Sequence, residues 1–151
     1  MIRYDSTVRI ERPPDEIFAR LTDFEGMADW TDMTDSRWLS EAGAAPGARG
    51  AAVIHLGPIS RRLEWRVTDY EPGRRIGFRT EPGGAMDWDA EYVLDADAAG
   101  TNVHTAGEIR LHGLLRLLEP VIRMELPKGE SRELIRLKAI LEQGSPASAS
   151  A

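Results

Sequence analysis

Residues 114–143 read LLRLLEPVIRMELPKGESRELIRLKAILEQ, and the way this run folds decides what the rest of the chain must do. Over Ser131–Gln143, Leu134, Leu137 and Leu141 recur at helical spacing, with Ile135 and Ile140 beside them. Arg132, Glu133, Arg136 and Glu142 fall mostly on the other side, and Lys138 lies at the edge of the apolar stripe, placed to snorkel along it. The preceding piece, Leu114 to Leu126, is more apolar still. Pro120 suits the opening turn of a helix, where its missing N–H has no partner to lose. Pro127, with Gly129 close behind, costs roughly 3 kcal/mol inside a helix, so the spacing predicts a kink or break at Pro127–Gly129. The final piece is about 20 Å long at ~1.5 Å per residue, the width of four strands at ~4.8 Å each. A helix this apolar needs a sheet to lie on.

Working outward, the remaining chain supplies that sheet. Ile2, Tyr4, Ser6, Val8 and Ile10 alternate with Arg3, Asp5, Thr7, Arg9 and Glu11, the period of a half-buried strand that Arg12-Pro13-Pro14 ends. Asp15-Glu16 opens a short helix carrying Ile17, Phe18 and Leu21, and Phe24 to Trp30 reads as a second short helical segment. Strands follow at Thr34–Glu41, Ala51–Leu56, Ser60–Glu71, Arg74–Thr80, Met86–Asp95 and from Asn102 to Ile109. Turns fall at Gly57-Pro58, Pro72-Gly73 and Pro82-Gly83-Gly84. The clean alternation in the last strands gives the sheet one wet and one dry face. Residues 144–151 form a Ser/Ala-rich tail expected to be disordered.

Composition narrows the function. The chain has 151 residues, enough for a single domain with its own core. With no cysteine, it has neither a disulfide framework nor thiol chemistry. A net charge of −6 argues against a nucleic-acid partner. No apolar run approaches the ~18 residues of a membrane span, and the N-terminus has no apolar signal region, so a cytoplasmic location is the default. His55, His104 and His112 lack ligand spacing, which leaves no metal site to propose, and no cofactor motif appears. Asp87, Asp89 and Glu91 read as the solvated face of a strand.

The order of elements, with Val8-Arg9-Ile10-Glu11-Arg12-Pro13-Pro14-Asp15-Glu16-Ile17-Phe18, Leu21-Thr22-Asp23-Phe24 through Trp30, and Trp65-Arg66-Val67-Thr68-Asp69-Tyr70-Glu71-Pro72-Gly73-Arg74-Arg75-Ile76, resembles the START-like helix-grip superfamily. Within it, the likeness is to the polyketide cyclase/dehydrase and lipid-transport (SRPBCC) group; Gly100-Thr101 and Leu134-Ile135-Arg136-Leu137-Lys138 also fit. The resemblance implies an α+β fold over residues 1–143: a curled seven-stranded antiparallel sheet around a long C-terminal helix, with two short helices after the first strand. It also implies a small hydrophobic ligand such as a lipid, polyketide or aromatic metabolite. Three functions fit the fold: a carrier, an aromatase/cyclase or dehydratase, and a chaperone-activator-like interaction protein.

Strand parity and helical spacing nominate Trp65, Val67, Phe78, Trp88, Tyr92, Thr105 and Met124 to line a cavity of several hundred Å³. Arg61 shares the parity of Leu63 and Trp65. If the protein is an enzyme, the resemblance to the cyclase branch makes Arg61 the cation that holds an enolate; strand parity adds Tyr92 as proton partner, and the apolar arc of Val121, Ile122 and Met124 adds Glu125 as acid/base. The simpler reading leaves Arg61 and Glu125 in solvent.

Overall fold

The computed structural model describes residues 1–56 and 58–150, with side chains through residue 143 apart from that of residue 56. Seven strands form one antiparallel sheet: β1 (Ile2–Ile10), β2 (Thr34–Trp38), β3 (Arg49–Leu56), β4 (Ile59–Glu71), β5 (Arg75–Thr80), β6 (Met86–Ala96) and β7 (Thr101–Leu111). Their spatial order is β1-β7-β6-β5-β4-β3-β2, so β2 through β7 meander and β1 closes onto β7. Helix α1 (Pro14–Leu21) and a 3-10 turn (Met27–Asp29) follow β1; a second 3-10 segment (Gly113–Leu118) leads into α2 (Glu119–Ser150). This is the helix-grip arrangement. The turn expected at Gly57-Pro58 lies partly outside the described residues, and the tail expected after residue 143 lies beyond the last described side chain.

Strand parity decides which face is dry. In β6, Met86, Trp88, Tyr92 and Leu94 are buried, while Val103, Thr105 and Ile109 of β7 face the same interior. The outward row is exposed at Asp89, half-buried at Asp87 and Glu91, and paired: Asp89 to Arg79 at 2.5 Å, Glu91 to Arg75 at 2.6 Å, and Asp87 to His112 at 2.8 Å. Two glycines make room for inward aromatic rings. A Cβ on Gly107 would run into Tyr4, its neighbour across β1 and β7, and one on Gly50 would run into Phe24.

Helix α2 corrects the expectation of a break. It runs through Pro127 and Gly129 without interruption. The local cost of roughly 3 kcal/mol is offset by burial on both sides of the proline. Ile122 and Leu126 are buried before it and Leu134 and Leu137 after it, at ~1.5–3 kcal/mol for each side chain. The Leu114–Leu126 piece is also not uniformly buried. Leu115, Ile122 and Leu126 face in, whereas Leu114, Leu117, Val121 and Met124 are exposed. At 3.6 residues per turn, a residue two positions from both Ile122 and Leu126 stands on the opposite side of the helix. Met124 therefore points to solvent.

Polar contacts hold α2 along one edge of the sheet. The N-terminal ammonium meets Glu119 at 2.8 Å, the Ser6 and Ser131 hydroxyls are 3.0 Å apart, and Lys138 Nζ donates to the Arg9 carbonyl. Arg12 then donates to the Leu141 and Glu142 carbonyls at 3.2 and 2.9 Å. Strand and helix thus run in the same direction, about two helical residues to each strand residue, as rises of ~3.3 and ~1.5 Å require. The helix is fastened at β1 and spans toward β3.

Candidate functional site

Between α2 and the dry face lies a cavity of about 60 Å³. The strands contribute Tyr4, Ala52, Trp65, Phe78, Trp88, Ala90 and Tyr92; the segment after α1 contributes Phe24, Met27 and Met33; and α2 contributes Glu130 and Glu133. A second space of about 250 Å³ opens outward between the first half of α2 and the Asp32–Met33 and Ile54–His55 segments. Met33, Trp88, Glu130 and Glu133 line both, so they form the neck between cavity and mouth.

The aromatic walls are fixed by specific contacts. Trp88 Nε1–H donates to the Tyr4 hydroxyl at 2.9 Å, and its ring meets Tyr4 and Trp65 edge-on, with centroids 6.4 and 5.1 Å away. Phe24 stacks on Trp38 at 4.2 Å and leans on Phe78 at 5.5 Å. Trp38 in turn donates its indole N–H to the Thr22 carbonyl at 2.9 Å. The cavity volume is smaller than the several hundred Å³ expected, because Tyr4, Phe24, Met27 and Met33 occupy space that strand parity within the meander did not reveal.

The two glutamates are the polar feature of this interior. Glu130 is 8% exposed and has no hydrogen-bond or ion-pair partner among the described residues. Glu133, one turn later, accepts the Asp32 backbone N–H at 3.3 Å. Burial pushes the Glu130 carboxyl well above the ordinary carboxylate range, and the charges of Glu133 and Asp32 add to the shift. Burial raises Glu133 too, against the lowering effects of the Asp32 N–H and of Arg136 and Arg132. Tyr4 and Tyr92 are also raised, first by burial and then by the Glu130 charge, which keeps both phenols protonated.

Of the residues nominated from sequence, Trp65, Phe78, Trp88 and Tyr92 come together around the cavity. Val67 and Thr105 are buried outside its lining; the Thr105 hydroxyl donates to the Glu91 carbonyl at 3.2 Å. Met124 is 61% exposed and lines nothing. Arg61 keeps its parity, but near the end of β4 no helix covers it, and its guanidinium donates to the Ser60 carbonyl at 3.0 Å in solvent. Glu125 is exposed at the outer rim of the mouth. Glu130 and Glu133 were missed. Their signal is spacing: Ile122, Leu126, Glu130, Leu134 and Leu137 form one stripe once the helix continues through Pro127.

A larger depression, about 610 Å³, lies on the outer face over Gly77, Ala90, Ala106 and Gly107. Arg79 pairs with Asp89, Arg3 with Glu108 and Arg75 with Glu91 along its rims, and its remaining acids Asp5 and Asp69 stand on the outer face of the sheet, not in an interior.

The sequence profile described as polyketide cyclase / dehydrase and lipid transport matches residues 1–142. The chain belongs to that family. Solved structures share the family's fold: a START superfamily protein from Mycobacterium smegmatis has a TM-score of 0.77 at 12% identity, covering 93% of this chain and 97% of its own. TTHA0849 from Thermus thermophilus gives 0.74 at 16%, covering 95% and 99%. DynU16, encoded in the dynemicin biosynthetic locus, gives 0.66 at 20%, covering 95% of this chain and 48% of its own. At these identities the likeness is one of fold. No curated protein matches the chain. No helix among the described residues is long and apolar enough to cross a membrane.

Proposed function

We propose that this family member binds a small, hydrophobic, ring-containing molecule, entering by the mouth beside β3 and seating against the aromatic cavity. The observation that carries the reading is the lining: six aromatic rings border a space that continues through a neck into a wider mouth. Such sites take an apolar body and orient it through a few polar groups. Fastening α2 at β1 leaves the β3 side as the entry, so the helix need not detach for exchange. A lipid tail, a polyketide ring or another aromatic metabolite fits this description, and a binding role needs only these features.

N-phenyl-1-naphthylamine, a neutral probe whose fluorescence rises in apolar surroundings, tests this directly. Saturable enhancement is expected, weakened about tenfold or more by Met33→Trp, which plugs the neck. A signal that does not saturate, or that ignores Met33→Trp, overturns the reading.

One observation favours a catalytic role as the second reading. Carboxyls raised toward neutrality suit general acid–base work, and Glu130 and Glu133 stand in the same interior as Tyr4 and Tyr92. A cyclase of this kind would rest on the glutamates, since Arg61 lies in solvent. Cyclised product from a linear poly-β-ketone thioester, lost in Glu130→Gln with probe binding retained, would establish it.

A further inference from the structure

Two carboxyls in an aromatic neck have no ion-pair partner among the described residues, and burial favours their protonated form until a counter-charge arrives. Glu130 faces both cavity and mouth with no partner among the described residues, and Glu133 accepts a single backbone N–H. No neighbouring cation forms an ion pair with either carboxyl, although Arg136 and Arg132 lie close enough to act on Glu133. Arg136 holds Asp32 at 2.8 Å, and Lys138 donates to the Arg9 carbonyl and to Glu142. Arg132 is exposed at the rim. An unpaired buried carboxylate is costly, and native interiors pair such groups. Trp88 lines the neck and Tyr4 and Tyr92 the cavity behind it, and aromatic rings tolerate a cation better than aliphatic side chains do.

Building on the ligand-binding reading of the cavity, we propose that its ligand carries a basic nitrogen that seats, as a cation, in the neck against Glu130 and Glu133, with its hydrophobic body against the aromatic walls. An ammonium group has three donors and no acceptor, so it can serve both carboxyls at once. A neutral ligand leaves the pair without counter-charge, and an anionic one is repelled. Ammonium binding also draws the carboxyls into their charged form. The titratable groups facing them are Tyr4 on β1, Asp32 before β2, His55 on β3, Tyr92 on β6, and Glu125, Arg132 and Arg136 on α2.

The test is displacement of bound N-phenyl-1-naphthylamine, whose diarylamine nitrogen is not basic, by three compounds of matched ring and chain: 2-phenylethylamine, 2-phenylethanol and 3-phenylpropanoate. The amine should displace the probe about tenfold or more better than the alcohol, and the propanoate should be weakest. Glu130→Gln and Glu133→Gln should each erase the amine's advantage while leaving the alcohol unchanged; Asp89→Asn, on the outer face of β6 and away from both spaces, should keep it. In the parent protein the amine's affinity should rise from about pH 6 to about pH 8.5, as the carboxyls ionise while the amine stays protonated, with no such rise for the alcohol. This arm needs no variant to fold. Probe binding with no preference for the amine, or a preference that survives both Gln substitutions, overturns the charge assignment alone. Failure of the probe itself to bind overturns the ligand site and this inference with it.

Discussion

The protein carries two short sets of carboxylates that look alike in sequence and differ in every physical respect. On the outer face of β6, Asp87, Asp89 and Glu91 stand in water, each within 2.8 Å of a cation or a histidine. On the inner side of α2, Glu130 is buried and Glu133 half-buried, and among the described residues neither has an ion-pair partner. The outer row is solvated and screened, so its ion pairs contribute little. The inner pair bears a desolvation cost that the native fold sustains through the packing around it. Acidity marks a strand face in one place and a candidate site in the other, and burial makes the difference.

The packing that holds the inner pair can be tested first, with the largest effect. Leu137→Ala should cost about 2–5 kcal/mol in urea denaturation, because Leu137 is fully buried under α2. A cost under about 1 kcal/mol would mean the helix is not pressed onto the sheet as described.

Tyr4→Phe comes next. It removes the acceptor of the Trp88 indole N–H inside the cavity wall, and an unsatisfied buried donor costs about 1–3 kcal/mol. Unchanged stability, together with an unaltered Trp emission spectrum, would show that this bond does not fix the wall.

The inner pair should also leave a pH signature. A carboxyl whose native pKa is raised holds a proton that the unfolded chain has released, so stability is greatest below the unfolded value near ~4.3 and declines as pH rises toward the native value. One such group gives a slope of up to about 1.4 kcal/mol per pH unit. Melting temperature should therefore fall across this range in the parent and fall less in Glu130→Gln. Equal slopes in the two proteins would place Glu130 in a solvated environment.

The smallest effect belongs to the outer row. Asp89→Asn breaks an ion pair whose members are 66% and 52% exposed, and no resolvable change in melting temperature is expected. A clear loss of stability would erase the contrast between the two faces.

Much of the fold was legible in order of residues alone. Strand β1 ends where Arg12-Pro13-Pro14 requires, and Trp65, Phe78, Trp88 and Tyr92 share a face because alternation along an extended chain is a local property. Pro120 sits in the first turn of α2 as its chemistry asks. The continuation of α2 through Pro127 was not legible, since the local cost of proline was outweighed by Leu134 and Leu137 packing on strands far away in sequence. With the helical phase broken at that point, Met124 was turned inward, and Glu130 and Glu133 escaped notice.

Sequence by itself therefore determined the strands, their dry face and the family, because each depends on neighbours a few residues apart or on the order of elements. Tertiary structure alone decided the cavity's size, the position of its mouth and the protonation of its glutamates. A side chain's volume closes a space only against what stands opposite, and a carboxyl's pKa depends on how much water surrounding elements exclude. Here those elements are β1, β6 and the Asp32 segment, each dozens of residues or more from Glu130 along the chain.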